Sequence, residues 1–310
     1  MPARNTVLVA VTFILVFTAC GEPFTEPPDN TTDGMTSVYL TDAPFPYRRV
    51  ARVDLYIVSI AASLSSDTGI FGDTTGTDFT TIAEPNRRFN LLVLQNGTTA
   101  ALGEAALPAG RYQAVRMVLD TDSSSITLKD KRVLTGTSDP GIAWQSSAGR
   151  PVLNALVHDP MDVGDSGATI VIDFDVGQSF LPVQVVDTLS TDEGFIFSPW
   201  MRAVNLEQTG ALTGRVVWDS AGSPAIVDAT LSVAMGRADW PENTWSIMAT
   251  GRTDAGGQFT MAFLSPNTVF APRTYFLSVE APSGESLLVR DVLVEAGSAR
   301  DLGTLTVPSP

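Results

Sequence analysis

A chain of 310 residues, 44% hydrophobic and 17% charged, is long enough to bury two ordinary cores. Its formal charge of −15 excludes the clustered Lys and Arg that nucleic-acid binding requires, so no nucleic-acid partner is expected. One Cys and one His leave neither a disulfide framework nor a Cys/His zinc set.

The chain opens with Arg4, then an apolar run from Thr6 to Phe17, then Thr18, Ala19 and Cys20. As a helix this run spans about 20 Å, short of the roughly 30 Å hydrocarbon core of a bilayer, so it reads as an export signal. Phe17-Thr-Ala-Cys20 resembles a bacterial lipobox. That resemblance implies removal of residues 1–19 and acylation (palmitate) of Cys20. It also implies attachment to the outer or cytoplasmic membrane, with the folded part outside the cytoplasm. Two or more acyl chains give stable anchoring where one does not. Gly21 to Gly34 is rich in Pro, acids and small polar residues, which predicts a disordered tether across residues 20–35.

From Thr36 onward β-type runs alternate with turn clusters, and helix-period patterns are nearly absent. Arg52 to Ile57 alternates, with Val53, Leu55 and Ile57 on one face. Arg111 to Leu119 repeats the pattern at Val115, Met117 and Leu119. Ala168 to Val176 sets Ile170, Ile172, Phe174 and Val176 on one side, Asp173 and Asp175 on the other. Segments 65–80, 120–125 and 135–150 read as loops, and Phe89 to Leu107 as holding a helical turn or two. A second unit begins near Gly210, with strands at Ala211–Trp218, Ala229–Ala234, Gln258–Phe263, Thr274–Ala281, Leu287–Val294 and Leu302–Val307. The expected fold is all-β: two antiparallel sandwich-like domains, over 36–207 and 208–310, behind the signal peptide and tether.

The first unit resembles the family called domain of unknown function 4382. The segments are Val38-Tyr-Leu-Thr-Asp-Ala-Pro44, Val53-Asp-Leu-Tyr-Ile-Val, Phe89-Asn-Leu-Leu-Val-Leu-Gln-Asn-Gly97, Leu107-Pro-Ala-Gly-Arg-Tyr112, Ile172-Asp-Phe-Asp-Val176 and Phe197-Ser-Pro-Trp-Met-Arg-Ala-Val204. The family is often found on lipoproteins and supplies no catalytic residues to carry over. In the second unit, Gly214-Arg-Val216, Pro224-Ala225, Ala229-Thr-Leu231, Thr253-Asp-Ala-Gly-Gly-Gln-Phe259 and Tyr275-Phe-Leu-Ser-Val-Glu-Ala281 resemble a transthyretin-like, carboxypeptidase-regulatory sandwich. That resemblance implies a non-catalytic module, some relatives of which bind carbohydrate.

The chemistry-bearing residues are few. Asp173 and Asp175, two apart on a strand, stand roughly 7 Å from each other, within the 5–10 Å of a glycosidase carboxylate pair; the plainer reading is the solvent face of a half-buried strand. Asp42, before Ala43-Pro44, is a turn former or a ligand contact at a domain rim. Asp120 with Asp122, and Asp159 with Asp162 and Asp165, lie in oxygen-rich runs suited to turns or to calcium, the one cofactor considered. His158, the single histidine, has no zinc partner among Cys or other His, and a catalytic triad could run only through it, with Ser or Asp partners unspecified. Trp240 and Trp245 flank a loop and either stack on sugar rings or pack in the core.

These features predict a non-enzymatic envelope lipoprotein, held in the membrane through Cys20 and binding or adhering to a glycan or envelope polymer. A scaffold or pilus-like subunit meeting another envelope protein, and a carboxylate hydrolase, are the alternatives.

Overall fold

The computed structural model describes residues 33–42, 49–64, 79–144, 152–184, 193–267 and 274–310; for residues 152–160, 184 and 193 it describes backbone alone. Cys20, its signal and most of the tether lie outside the described residues, as do 65–78 and 145–150 of the expected loops.

The first half contributes β1 (Gly34–Asp42), β2 (Val50–Ser63), β3 (Phe79–Ala83), β4 (Arg87–Asn90), β5 (Ala100–Leu107), β6 (Gly110–Leu128), β7 (Val133–Leu134), β8 (Ile142–Trp144), β9 (Val152–Val163) and β10 (Ala168–Phe174). A one-turn helix α1 (Val176–Ser179) follows, then β11 (Phe180–Gln184), β12 (Glu193–Phe197) and β13 (Met201–Asn205). The expected helical turn is a 3-10 turn at Leu91–Val93, and a short loop then leads into β5. Among the described residues no helix is long and apolar enough to cross a membrane.

Alternation decides which side chains go inside. Val53, Leu55 and Ile57 of β2, Val115, Met117 and Leu119 of β6, and Ile170, Ile172 and Phe174 of β10 are all buried in one core. Each such side chain contributes about 1.5–3 kcal/mol. Ten strands form this sheet, in the order β3-β2-β6-β9-β13-β10-β1-β5, with β4 added to β2 and β7 to β6. Pairing is mostly antiparallel, but β1 runs parallel to β10 and β13 parallel to β9. The two edge strands meet. A Cβ on Gly103 of β5 would stand 2.7 Å from the Cβ of Ala83 in β3, and Arg87 Nη2 donates to the Ala101 carbonyl at 2.9 Å. The sheet is thus rolled almost closed, which removes the exposed edges an open sheet would offer. A three-stranded sheet, β11-β12-β8, adds an aromatic cluster in which Phe197 contacts Trp144 and Phe180 at centroid distances of 4.7 and 5.0 Å.

The second half contributes β14 (Gly210–Trp218), β15 (Thr230–Gly236), β16 (Ser246–Arg252), β17 (Gln258–Leu264), β18 (Thr274–Glu280), β19 (Ser286–Val292) and β20 (Ala299–Val307). Sheets β17-β14-β20 and β16-β15-β18-β19 enclose a second core that includes Leu212, Val216, Leu231, Val233, Phe259, Met261 and Leu277. β14 and β20 pair in parallel. Both cores belong to one compact unit.

Three expectations need correction. Residues 120–125 are no loop between strands: β6 continues through them and bulges, Tyr56 facing Asp120 while Asp54 faces Ser125. β16 went unpredicted because a register shift against β15 buries Met248 and Ala249 in succession and leaves Ile247 exposed, which erases alternation. Finally, Asp173 and Asp175 do not face solvent; they are 5% and 1% exposed. β10 ends at Phe174, so Asp175 heads α1 instead of sharing a strand face with Asp173, and a second layer, from β16 and β17, covers them.

Candidate functional site

The parallel pairing of β1 with β10 places their C-terminal ends side by side, Thr41 opposite Asp173 and Asp42 opposite Phe174. Three carboxylates, Asp42 from one part of the sequence and Asp173 and Asp175 from another, therefore gather at the seam between roll and sandwich. Ala249 and Thr250 of β16 and Thr260–Phe263 of β17 close over them.

Each carboxylate has a different set of partners. Asp173 is ion-paired with Arg202, whose Nε donates to Oδ2 at 2.9 Å and whose Nη2 lies 2.8 Å from the same oxygen. Arg202 Nη1 crosses the seam and donates to the Phe263 carbonyl at 2.8 Å. Phe263 has φ +60°, a left-handed conformation rare for an aromatic residue, at the point where β17 shifts register against β14. Asp175 caps α1: Oδ1 accepts from the Gln178 amide at 2.8 Å and Oδ2 from Gln178 Nε2 at 2.9 Å, with Thr250 Oγ1 at 3.5 Å across the seam. Asp42, 4% exposed, accepts from the Val176 amide on Oδ1 at 3.0 Å; its Oδ2 makes no hydrogen bond of ordinary geometry, and the Gln95 side chain stands close enough to favour the charged form. Burial drives the Asp42 pKa well above the ordinary carboxylate value, and the charges of Asp173 and Asp175 push it the same way. Burial also raises the pKa of Asp175.

Beside Asp42 and Asp173 lies a cavity of about 20 Å³. Beyond it a wider groove of about 490 Å³ crosses the outer face of β17-β14-β20. Thr213 and Arg215 of β14, Gln258 and Thr260 of β17, and Asp301 and Thr304 of β20 line it, with Asp254 at one end and Asn96 of the roll at the other. Asn96 and Thr260 border both spaces. Arg215 is steadied by Nε donating to the Gly256 carbonyl at 3.0 Å. Asp254 and Asp301 each give one oxygen to a neighbouring turn. The groove thus offers hydroxyl, amide, guanidinium and carboxylate groups in a lining built mainly on strands.

Of the residues singled out in the sequence, Asp42, Asp173 and Asp175 come together here. Asp173 is paired with Arg202, and Asp175 caps α1. Trp240 and Trp245 lie elsewhere, on the outer face of the four-stranded sheet. Trp245 stacks on Phe276 at 3.6 Å over Gly236, where a Cβ would fall 2.1 Å from the ring, and its Nε1 donates to the Arg237 carbonyl at 3.2 Å. Trp240 is 40% exposed, with the Arg237 guanidinium 5.7 Å from its ring. Neither joins the core.

Among the described residues, the calcium candidates do not converge. Asp120 accepts from the Asp122 amide and Ser123 Oγ, which shapes the β6 bulge. Asp162 and Asp165 are exposed, Asp165 in the Gly164–Gly167 turn. The side chains of His158 and Asp159 lie outside the described residues. Among the described residues, no three Asp, Glu, His or Cys are placed to hold a metal. Arg202, Asn96, Thr250 and Thr260 went unread. Only Arg202 carried a signal, as a lone cation in the apolar strand Met201–Asn205.

Residues 33–199 match the family described as domain of unknown function (DUF4382). No curated protein matches the chain. Among solved structures, a 9R-lipoxygenase from Cyanothece PCC8801 is similar over 42% of this chain and 19% of that one, at 17% identity and TM-score 0.23. The Bacillus anthracis TIE protein is similar over 90% and 40%, at 12% identity and TM-score 0.23. A streptococcal ancillary pilin is similar over 89% and 62%, at 10% identity and TM-score 0.23. The chain spans less than two thirds of the length of each of these three structures, and likeness at this level carries no functional argument.

Proposed function

The chain belongs to the DUF4382 family, and from that premise we propose that it is a non-enzymatic binding protein of the cell envelope. In this reading it is tethered by lipid on Cys20 and takes a glycan in the groove across β17-β14-β20. The observation that carries the proposal is the groove's lining: hydroxyl, amide and charged groups presented by three strands complement a polyhydroxylated ligand. A volume of about 490 Å³ is typical of small-ligand clefts. The non-catalytic part of the reading is supported by the partners of Asp173 and Asp175, since a hydrolase requires one carboxyl group to give up its proton and another to attack or activate water.

The test is calorimetric titration of the full chain with soluble envelope glycan fragments. Arg215→Ala and Gln258→Ala are expected to weaken binding about tenfold each, a loss of roughly 1.4 kcal/mol, while Trp240→Ala leaves it unchanged. Binding lost in Trp240→Ala but not in the groove variants would move the site to the opposite sheet. For the anchor, wild type should partition with membranes and carry acyl mass, whereas Cys20→Ala should do neither; equal partitioning of the two would refute it.

A further inference from the structure

We infer that the seam between roll and sandwich is a latch closed by a proton on the Asp42 carboxyl, beside Asp173 and Asp175, and loosened when that proton leaves for water. The latch does not depend on what the groove binds.

The charge balance of the seam is the starting point. β1 brings Asp42, β10 brings Asp173, Asp175 stands at the head of α1, and β13 brings Arg202. Gln95 and Asn96 of the adjoining loop are uncharged. So are Ala249 and Thr250 of β16 and Thr260, Met261, Ala262 and Phe263 of β17, so the covering layer brings no charge. Arg202 neutralises Asp173, and two carboxyls remain. Asp175 holds strong donors on both oxygens. Asp42 has one backbone donor, the Val176 amide on Oδ1, with the Gln95 side chain adding weaker help, and a buried carboxylate so thinly supplied with donors is costly to ionise. A proton on Oδ2 removes the charge, and the adjoining cavity of about 20 Å³ has room for one water to accept from it. The raised pKa values of Asp42 and Asp175 agree with this geometry.

Ionisation acts on the contacts that hold the layers together. These are Arg202 to the Phe263 carbonyl, Thr250 to Asp175, and Gly97, whose Cβ position lies 3.4 Å from the Ala262 Cβ. In the opened form the Asp42 carboxyl is hydrated and titrates near its ordinary value of about 3.9. In the closed form it titrates higher. Closure is therefore complete at low pH, weakens about tenfold per pH unit above the ordinary value, and levels off once pH passes the raised value. Because Asn96 on one layer and Thr260 on the other line both cavity and groove, loosening also widens the groove.

Two measurements on the full chain test this. Infrared spectroscopy should show the C=O stretch of a protonated, buried carboxylic acid persisting above the ordinary carboxylate range in wild type and absent in Asp42→Asn. Amide hydrogen exchange, corrected for its intrinsic pH dependence, should show protection of 91–98 and 246–264 falling tenfold per pH unit in wild type. In Asp42→Asn it should stay flat. A wild-type band that has vanished by about pH 5, or wild-type protection of these segments that does not change with pH, overturns the latch. Both readings need only wild type, so a variant that fails to fold leaves the test intact. Neither uses a ligand, so failure of the glycan reading would not touch them.

Discussion

Arg202 is 2% exposed and serves two layers at once, Asp173 within the roll and the Phe263 carbonyl in the sandwich. Arg202→Ala would leave a buried carboxylate without its cation and a backbone carbonyl without its donor. Breaking such a pair costs about 3–5 kcal/mol, which chemical denaturation would detect, and Asp173→Asn in the same chain should restore part of the loss. Asp42 predicts the opposite sign. Its raised pKa favours the folded state at low pH, and that advantage is lost as pH rises through the folded pKa. Asp42→Asn should therefore melt above wild type at about pH 8 and beside it at about pH 4, as followed by circular dichroism.

At the scale of elements, the β6 bulge is held by side chains acting as backbone. Ser124 Oγ donates to the Asp120 carbonyl at 2.7 Å and accepts from the Tyr56 amide at 2.9 Å, while Arg88 Nε donates to the Ser123 carbonyl at 2.7 Å. Ser124→Ala should cost about 1 kcal/mol by orphaning the half-buried Tyr56 amide, with a parallel loss of exchange protection there. The sequence offered only Asp-Ser-Ser-Ser, a turn composition, because an excursion and a true turn use the same residues. Gly236 is as specific on the other sheet, since any Cβ there displaces Trp245. Gly236→Ala should red-shift tryptophan emission and destabilise by about 1–3 kcal/mol.

For the whole molecule, strand parity was legible along β2, β6 and β10, because alternation is a local property and names the buried face directly. What lies over the opposite face is not local. Asp173 and Asp175 read as solvent-facing since nothing in residues 168–176 refers to β16 and β17, some 75 residues on. Asp42 was visible as a residue of interest, but its neighbours depend on β1 and β10 running parallel, a pairing that no periodicity encodes. The groove was illegible for the same reason, being assembled from β14, β17 and β20. Two cores joined through a buried arginine and the contacts around it should unfold together. Calorimetry is expected to give a single transition for wild type and two for Arg202→Ala.

The parallel pairing of β14 with β20 matters when the protein is pulled. Ala211 lies opposite Ala299 and Trp218 opposite Val307, so the sandwich's first and last strands leave their common ladder at opposite ends. Tension applied through Gly210 and Pro310 would slide one strand along the other and load the ladder's hydrogen bonds together, whereas a hairpin peels one bond at a time. Under the tethering proposed above the chain would bear drag, and this arrangement makes the groove-bearing sheet a mechanical clamp. Its rupture force should fall sharply when the same load is applied across β15 and β16, which are joined antiparallel and open like a zip.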